Sequence, residues 1–124
     1  MAFTALFEKT LLDFMTGAAA ATQPSARFIS LATGSPNDAG ASDGPYQTRL
    51  TLNCGAASSP LGIASNRSVM SFRATAIATA VGWNLWDAGA AGNRLGYGTI
   101  SPNVGVASGG TAAFAVSALA LVLR

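Results

Sequence analysis

Turn-forming residues divide most of this chain into short segments, and this division constrains the fold more than any other feature. Gly, Pro, Asn, Asp and Ser are concentrated in four stretches, at 34–45, 55–60, 87–93 and 101–110. These residue types favour turns because they adopt, or are fixed in, backbone angles that helices and strands do not use. The segments between them are short, and several alternate apolar with polar side chains, which is typical of β-strands.

Six segments within residues 26–124 are predicted as strands. Their approximate bounds are 27–33, 46–54, 61–72, 76–86, 94–100 and 111–124. The segments 76–86 and 94–100 flank the tight turn at 87–93 and form the clearest hairpin. The last segment is rich in Ala and Leu, so a helix is an alternative there, but its position after a Gly-Gly pair favours a strand.

The N-terminal region has a different pattern, because its apolar residues recur every three or four positions. They are Phe3, Leu6, Phe7, Leu11 and Phe14. This spacing predicts a helix over 3–16 that ends at Gly17, followed by a linker at 18–25. Three Phe on one short helix make a large apolar surface, which we expect the chain's own sheet to cover; a neighbouring subunit is the alternative.

These elements predict a mainly β protein with one domain, residues 1–124. The expected architecture is an antiparallel β-sandwich or a jelly-roll-like barrel with one N-terminal α-helix. A chain of 124 residues can bury a modest core. Cys54 is the only cysteine, so no intrachain disulfide forms, and we expect it to be a small buried apolar side chain.

Charged residues make up 10% of the chain, whereas a typical soluble domain has about 25%. We therefore expect other protein to cover part of the surface; a monomer coated with Ser and Thr is the alternative. The net charge of +2 is small and the basic residues are scattered singly, which argues against nucleic acid. The longest apolar run, 112–123, is too short to cross a membrane as a helix.

Residues for enzyme chemistry are scarce. The chain has no His, which rules out Ser-His-Asp and Cys-His arrangements within it. Asp38 and Asp43 share one loop, where turn formation is the simpler role; a Ca²⁺ site is a minor alternative. We expect no enzyme activity, no metal and no cofactor.

Aromatic and Arg side chains are the residues expected at an interface, because both types often anchor protein contacts. The candidates are Phe3, Phe7, Arg49, Trp83, Trp86, Arg94 and Tyr97. Trp83 and Trp86 are three residues apart in a predicted strand, so they should point to opposite faces. One would then lie in the core and the other at an interface.

Four segments together match a known pattern: Phe3 to Gly17, Phe28 to Gly40, Trp83 to Ile100, and the terminal strand after its Gly-rich turn. In these segments the chain resembles a family of small virion proteins of tailed bacteriophages. Members of this family are often labelled tail fibre or capsid decoration (cement) proteins. The resemblance implies a structural part of the virion without catalysis.

The sequence favours a capsid decoration protein that binds the outside of the major capsid shell and stabilises it. A shell protein can bury a large share of its surface, which suits a low charge. A tail or tail-fibre component is the first alternative, and a receptor- or carbohydrate-binding module that uses Trp86, Tyr97 and the 34–45 loop is the second. The expected partners are the major capsid protein and copies of the chain in a homo-oligomer, without nucleic acid or membrane. The expected location is the capsid surface of a virion assembled in the host cytoplasm.

Overall fold

A computed structural model of the chain describes residues 1–57 and 63–122. In chain order its elements are β1 (Ala2–Phe3), α1 (Ala5–Met15), β2 (Phe28–Ala32), β3 (Leu50–Thr51), β4 (Ile63–Ser65), β5 (Met70–Arg73), β6 (Ala78–Trp86), β7 (Arg94–Val106), β8 (Thr111–Phe114) and β9 (Ala120–Val122). The strand pairs are antiparallel. The predicted mainly β architecture with one N-terminal helix is therefore confirmed, although the described strands do not close into a barrel.

The largest sheet has the strand order β1–β7–β6–β2–β3. Its centre is the β6–β7 hairpin that the sequence predicts. Asp87 holds the hairpin turn, because its carboxylate accepts hydrogen bonds from the backbone N–H and the side-chain amide of Asn93. Ala91 and Gly92 have positive φ values of 51° and 75°, as tight hairpin turns require. Two further sheets are pairs, β4 with β9 and β5 with β8.

The hydrophobic core joins the five-stranded sheet to the β5–β8 pair. Trp83 of β6 and Met70 and Phe72 of β5 are among its members. In β5 the buried residues alternate with the exposed Ser71 and Arg73, the period of a strand with one face in solvent. Burying a side chain as large as Phe72 contributes about 1.5–3 kcal/mol.

The strand β7 is longer than predicted. It continues to Val106, past the predicted end at Ile100, and takes in part of the predicted loop 101–110. A single residue of β6 faces the four β7 residues 100–103, so the ladder contains a bulge. Pro102 has no backbone N–H to donate and therefore indicates a loop in the sequence, but the bulge accommodates it.

Three other predicted strands are shorter than expected or divided. Within 46–54 only β3 pairs as a strand, with single bridges on either side of it. The segment 61–72 contains β4 and β5, and the segment 111–124 contains β8 and β9. Parts of these two segments and of the predicted turn 55–60 lie outside the described residues, namely 58–62 and 123–124.

Asn66 explains why both of these segments divide. Its side chain is 1% exposed and lies where β4 ends and where the chain bends between β8 and β9. The side-chain amide donates to the carbonyls of Ser68 and Ala115, and Oδ1 accepts from the backbone N–H of Leu119, each at 2.9 Å. These side-chain bonds add to two backbone bonds at the same position, from the N–H of Asn66 to the carbonyl of Leu119 and from the N–H of Ser117 to the carbonyl of Asn66. We call this position, where regular strand pairing ends, the Asn66 corner.

The helix α1 is slightly shorter than the predicted 3–16, because Phe3 lies in β1 and pairs with β7. Gly17 ends the helix as predicted, with a φ of 75°. α1 has 11 residues, and across 1–57 and 63–122 no helix has the length and apolar character needed to cross a membrane.

Thr4 fixes the start of α1 against β7. Its backbone N–H donates to the carbonyl of Leu95 at 3.0 Å, and its hydroxyl donates to the carbonyl of Arg94 at 2.7 Å. Because this hydroxyl bonds a strand, the helix takes its N-terminal acceptor from elsewhere: Asp38 Oδ1 accepts from the backbone N–H of Ala5 at 2.8 Å. The N-terminal end of α1 is therefore tied to both the sheet and the 34–45 loop.

Candidate interaction surfaces

The segment 34–45, here called the long loop, covers one face of the five-stranded sheet through Arg94. The Arg94 guanidinium donates to three carbonyls of the long loop at 2.5 to 2.9 Å and to Oδ1 of Asn84 at 3.1 Å. A guanidinium offers five donors in a planar fork, so one side chain can serve several acceptors at once. Arg94 thereby connects the loop to the central hairpin.

A buried polar network continues this contact across the sheet. Asn84 is fully buried, and its amide donates to the carbonyl of Ala41 at 2.8 Å and to Oδ1 of Asp43 at 3.0 Å. The same Asp43 oxygen accepts from the hydroxyl of Ser30, which in turn accepts from Nε1 of Trp86 at 3.0 Å. Because each buried polar atom named here has a partner, the network stabilises one position of the long loop.

Two Arg side chains lie over aromatic rings on the same side of the sheet. The guanidinium of Arg49 is 3.6 Å from the ring centroid of Trp86 and donates to two carbonyls of the 87–93 turn at 3.0 and 2.7 Å. The guanidinium of Arg94 is 5.2 Å from the ring centroid of Tyr97. Both distances lie within the range of a cation–π contact.

Trp83 and Trp86 lie on opposite faces of β6. Trp83 is 6% exposed in the core, whereas Trp86 is half-buried beneath Arg49. The structure therefore pairs four of the predicted interface residues, Arg49 with Trp86 and Arg94 with Tyr97. Both Arg side chains also bond carbonyls of the same chain. A role for these residues in contact with another protein stays a prediction.

The apolar side of α1 is covered only in part: Phe7 and Leu11 are half-buried, whereas Leu6 is 55% exposed. Phe7 packs against the core and meets Phe3 edge to face, with ring centroids 5.1 Å apart. No residue of α1 is buried, and the exposed fraction reaches 59% for Leu12, 60% for Phe14 and 78% for Met15. We call these last three residues the helix patch. The expectation that the chain's own sheet covers the helix thus holds only in part, since of the α1 residues only Phe7 packs against the core.

Two members of the helix patch, Leu12 and Met15, lie outside the face that the predicted helix spacing selects. The segment 11–15 nevertheless contains a signal, because four of its five residues are apolar. A helix that is apolar on more than one side needs more than one partner surface. Only the N-terminal end of α1 is held against β7, so its last turn projects into solvent.

A groove of about 500 Å³ lies between β7 and the segment that contains β8 and β9. Its larger lining side chains are Trp83, Ile100, Val104, Phe114 and Leu119. We call it the apolar groove. Its lining residues within the described part of the chain are all uncharged, and the sequence from 95 to 123 contains no charged residue. The groove is therefore suited to an apolar partner and not to a charged one.

Among the described residues, two side chains have a pKa that departs from its ordinary value. Burial raises the pKa of the Tyr46 hydroxyl, which is enclosed and has no hydrogen-bond partner among the described residues. Burial also raises the pKa of the Cys54 thiol, and the positive charge of Arg27 opposes this effect only in part. Cys54 is half-buried beside the core, so it is less enclosed than predicted. A raised pKa leaves little thiolate at neutral pH, so the site is a poor nucleophile.

The two carboxylates considered for Ca²⁺ have separate structural partners. Asp38 caps α1, and Asp43 accepts hydrogen bonds from Ser30 and Asn84. Within the part of the chain that the structure describes, no group of three or more His, Cys, Asp or Glu residues comes together to hold a metal ion.

Comparison with known proteins finds a family model that matches residues 2–122, described as "Podophage GP4 fiber I protein gp80". A search of curated proteins gives no match. The matched range includes the long loop, the helix patch and the apolar groove, so all of the surfaces described above lie within the region that the family model covers.

Proposed function

We propose, from the premise that this chain belongs to the podophage GP4 fiber I protein gp80 family, that it is a structural subunit of a podophage virion fibre. The observation that carries the proposal is the extent of the match, residues 2–122 of 124. Membership of this family makes the chain a structural component of a tailed-phage virion, as the resemblance in its sequence implies.

The capsid decoration role that the sequence favours is not confirmed, and the fibre alternative fits the family better. The expectation of a shell protein rested on the low charge of the chain, because a protein with few charges needs cover from other protein. A fibre subunit meets the same requirement when neighbouring subunits cover it. Low charge therefore does not distinguish the two locations, whereas the description of the family names a fibre protein.

The described surface supports a role in assembly. The helix patch and the apolar groove are two apolar surfaces that a partner protein can cover. The partners that we propose are copies of this chain and other fibre or tail proteins. The proposal includes no catalytic step and no cofactor, in agreement with a sequence that has no His.

Labelling of purified virions tests the location. A short peptide tag inserted in the segment 18–25, where residues 18–23 are exposed, is detected with a gold-conjugated antibody by electron microscopy. We expect gold on fibres that project from the tail. Untagged virions provide the background. Gold on the capsid shell would contradict the proposed location in a fibre and would support the decoration role instead.

A deletion virion provides a second, independent measurement. A decoration protein stabilises the shell by binding only its assembled state, so particles without it should lose their genome at a lower temperature. A fibre protein has no such effect. We expect virions that lack this chain to release DNA at the wild-type temperature and to lose fibre density in cryo-EM maps. A lower release temperature with intact fibres would overturn the proposal.

A further inference from the structure

We propose that copies of this chain exchange their N-terminal segments, so that residues 1–17 of one copy dock on the sheet of another. We call this segment, which contains β1 and α1, the arm. In a second copy the arm makes the same contacts that it makes within its own chain. The exchange follows from these contacts; only its use in joining fibre subunits rests on the proposed function.

The arm is held at one place, the start of β7. β1 contributes only two residue pairs to its ladder with β7. Thr4 then donates two hydrogen bonds to carbonyls of the same strand, and Asp38 of the long loop caps α1. Beyond this point no residue of α1 is buried, and Phe7 is the only one that packs against the core. The second half of α1 therefore contributes little to holding the arm in place.

The segment 18–25, which links the arm to β2, is also weakly held. Residues 18–23 are all exposed, and the hydrogen bonds of the described residues include none from 20–26. A cleft of about 480 Å³ separates residues 22–25 from the first turns of α1, so the two are not closely packed. Segments with exposed backbone and few buried contacts open at low free energy. The arm can therefore leave its site while the core stays folded.

Within one copy the chain has to double back to dock its own arm. α1 starts beside Leu95, and the chain re-enters the sheet at Phe28, in the row of paired residues Phe28, Trp86 and Arg94. The 11 residues of α1 span about 16 Å, and the chain has to return along the helix by about this distance. Residues 18–27 reach at most about 33 Å when extended. A linker four residues shorter would reach about 20 Å and would have little slack.

Exchange keeps the contacts of the arm and changes only which copy supplies them. The acceptors of the site are the carbonyls of Arg94 and Leu95 and the carboxylate of Asp38, and they serve the arm of any copy equally well. Exchange of an identical element is therefore a low-cost route to assembly, and concentration sets its extent. A short flexible linker gives a chain's own arm an effective concentration in the millimolar range. We expect exchange at about 1 mM protein and in a particle that packs copies as closely.

Disulfide trapping between two full-length variants tests the exchange. Both carry Cys54→Ala; one has an affinity tag and Ala2→Cys, and the other has Tyr97→Cys. These positions face each other in the β1–β7 ladder, close enough for a disulfide, but neither variant can form it within one chain. We expect the yield of covalent heterodimer to rise between about 10 µM and about 1 mM. At the higher concentration it should exceed at least fivefold the yield with Ile77→Cys, a control position that is 82% exposed outside the arm site.

A shorter linker provides a second measurement without new cysteines. Deletion of residues 20–23 should favour exchange, so that this chain sediments as a dimer or larger species at about 10 µM. Replacement of the same four residues by Gly-Ser-Gly-Ser keeps the length, and this control should be monomeric at that concentration. Thermal melting verifies folding of every variant, and each measurement decides alone if a variant of the other melts early.

The proposal would be overturned by a heterodimer yield at about 1 mM no higher than that of the Ile77→Cys control. A folded chain with the shorter linker that stays monomeric would overturn it as well. Neither result alters the gold-labelling outcome, so failure of the exchange and failure of the proposed fibre location are distinguishable.

Discussion

At the scale of single residues, Arg94 holds the long loop against the sheet with four hydrogen bonds. Arg94→Lys keeps the charge but loses the planar fork, and Lys cannot serve these acceptors together. We expect the free energy of unfolding in urea to fall by about 1–3 kcal/mol. Arg73→Lys is the control at an exposed position and should change it by less than about 0.5 kcal/mol. Equal effects of the two substitutions would show that the fork is not important.

Unlike the Arg94 guanidinium, the hydroxyl of Tyr46 is enclosed without a hydrogen-bond partner among the described residues. Leaving such a group unpaired costs about 1–3 kcal/mol, so Tyr46→Phe should raise the free energy of unfolding by about 1 kcal/mol at neutral pH. The ring contact with Phe72, at 6.4 Å between centroids, is retained by this substitution. A variant less stable than the wild type would indicate a partner for the hydroxyl.

The pH dependence at Tyr46 follows from the direction of its pKa shift. Burial raises the pKa of the folded state above the ordinary value of 10.0, so the folded protein keeps the proton when the unfolded chain has begun to lose it. The contribution of Tyr46 to stability is constant below pH 10 and falls as the pH rises from there through the folded pKa. Urea titrations between pH 8 and 11 should show a smaller alkaline loss for Tyr46→Phe than for the wild type.

For single residues, the sequence predicts which side chains make specific contacts better than it predicts which groups they contact. The alternation of Trp83 and Trp86 across β6 follows from their spacing alone. Arg49 and Arg94 were expected to face another protein, yet their acceptors are carbonyls 39 to 57 residues away in the same chain. Backbone carbonyls exist at every position, so no sequence pattern indicates which of them an Arg will reach.

At the scale of elements, local pairings could be predicted and distant ones could not. The β6–β7 hairpin has its turn residues between its strands, so its signal is contained in one segment. The pairing of β1 with β7 joins residues more than 90 positions apart and involves only Ala2 and Phe3. Two predicted strands end at the Asn66 corner, where one buried amide bonds three backbone groups. The sequence alone does not show whether an Asn is buried, so it gives no signal for this corner.

Removal of the Asn66 side chain should therefore destabilise the folded protein. Asn66→Ala leaves the buried N–H of Leu119 without its acceptor and removes one donor from the carbonyls of Ser68 and Ala115, although the Ala115 carbonyl keeps the N–H of Ala118. We expect the free energy of unfolding to fall by about 1–3 kcal/mol. Asn53→Ala, at an exposed position, is the control and should change it by less than about 0.5 kcal/mol. Because the corner forms one wall of the apolar groove, hydrogen exchange should also rise around 115–119.

At the scale of the whole molecule, polar and apolar surfaces are separated. The five carboxylates lie in α1, the long loop and the turn after β6, whereas the sequence from 95 to 123 has no charge at all. A surface of this kind remains soluble only while its uncharged part is small or covered. The sequence already shows that the chain has few charges. The structure adds where apolar surface is left uncovered, at the helix patch and the apolar groove.

The helix patch allows assembly and folding to be separated in one variant. The substitutions Leu12→Gln, Phe14→Gln and Met15→Gln remove the apolar surface but keep residues that favour a helix. Because no residue of α1 is buried, the melting temperature should change by less than about 4 °C. Incorporation into virions, measured by quantitative immunoblotting of purified particles, should nevertheless fall at least tenfold. Ile77→Gln removes an apolar residue of similar exposure elsewhere and should incorporate normally. Normal incorporation of the triple variant would mean that the patch is not an interface, whereas early melting would mean that the helix stabilises the fold after all.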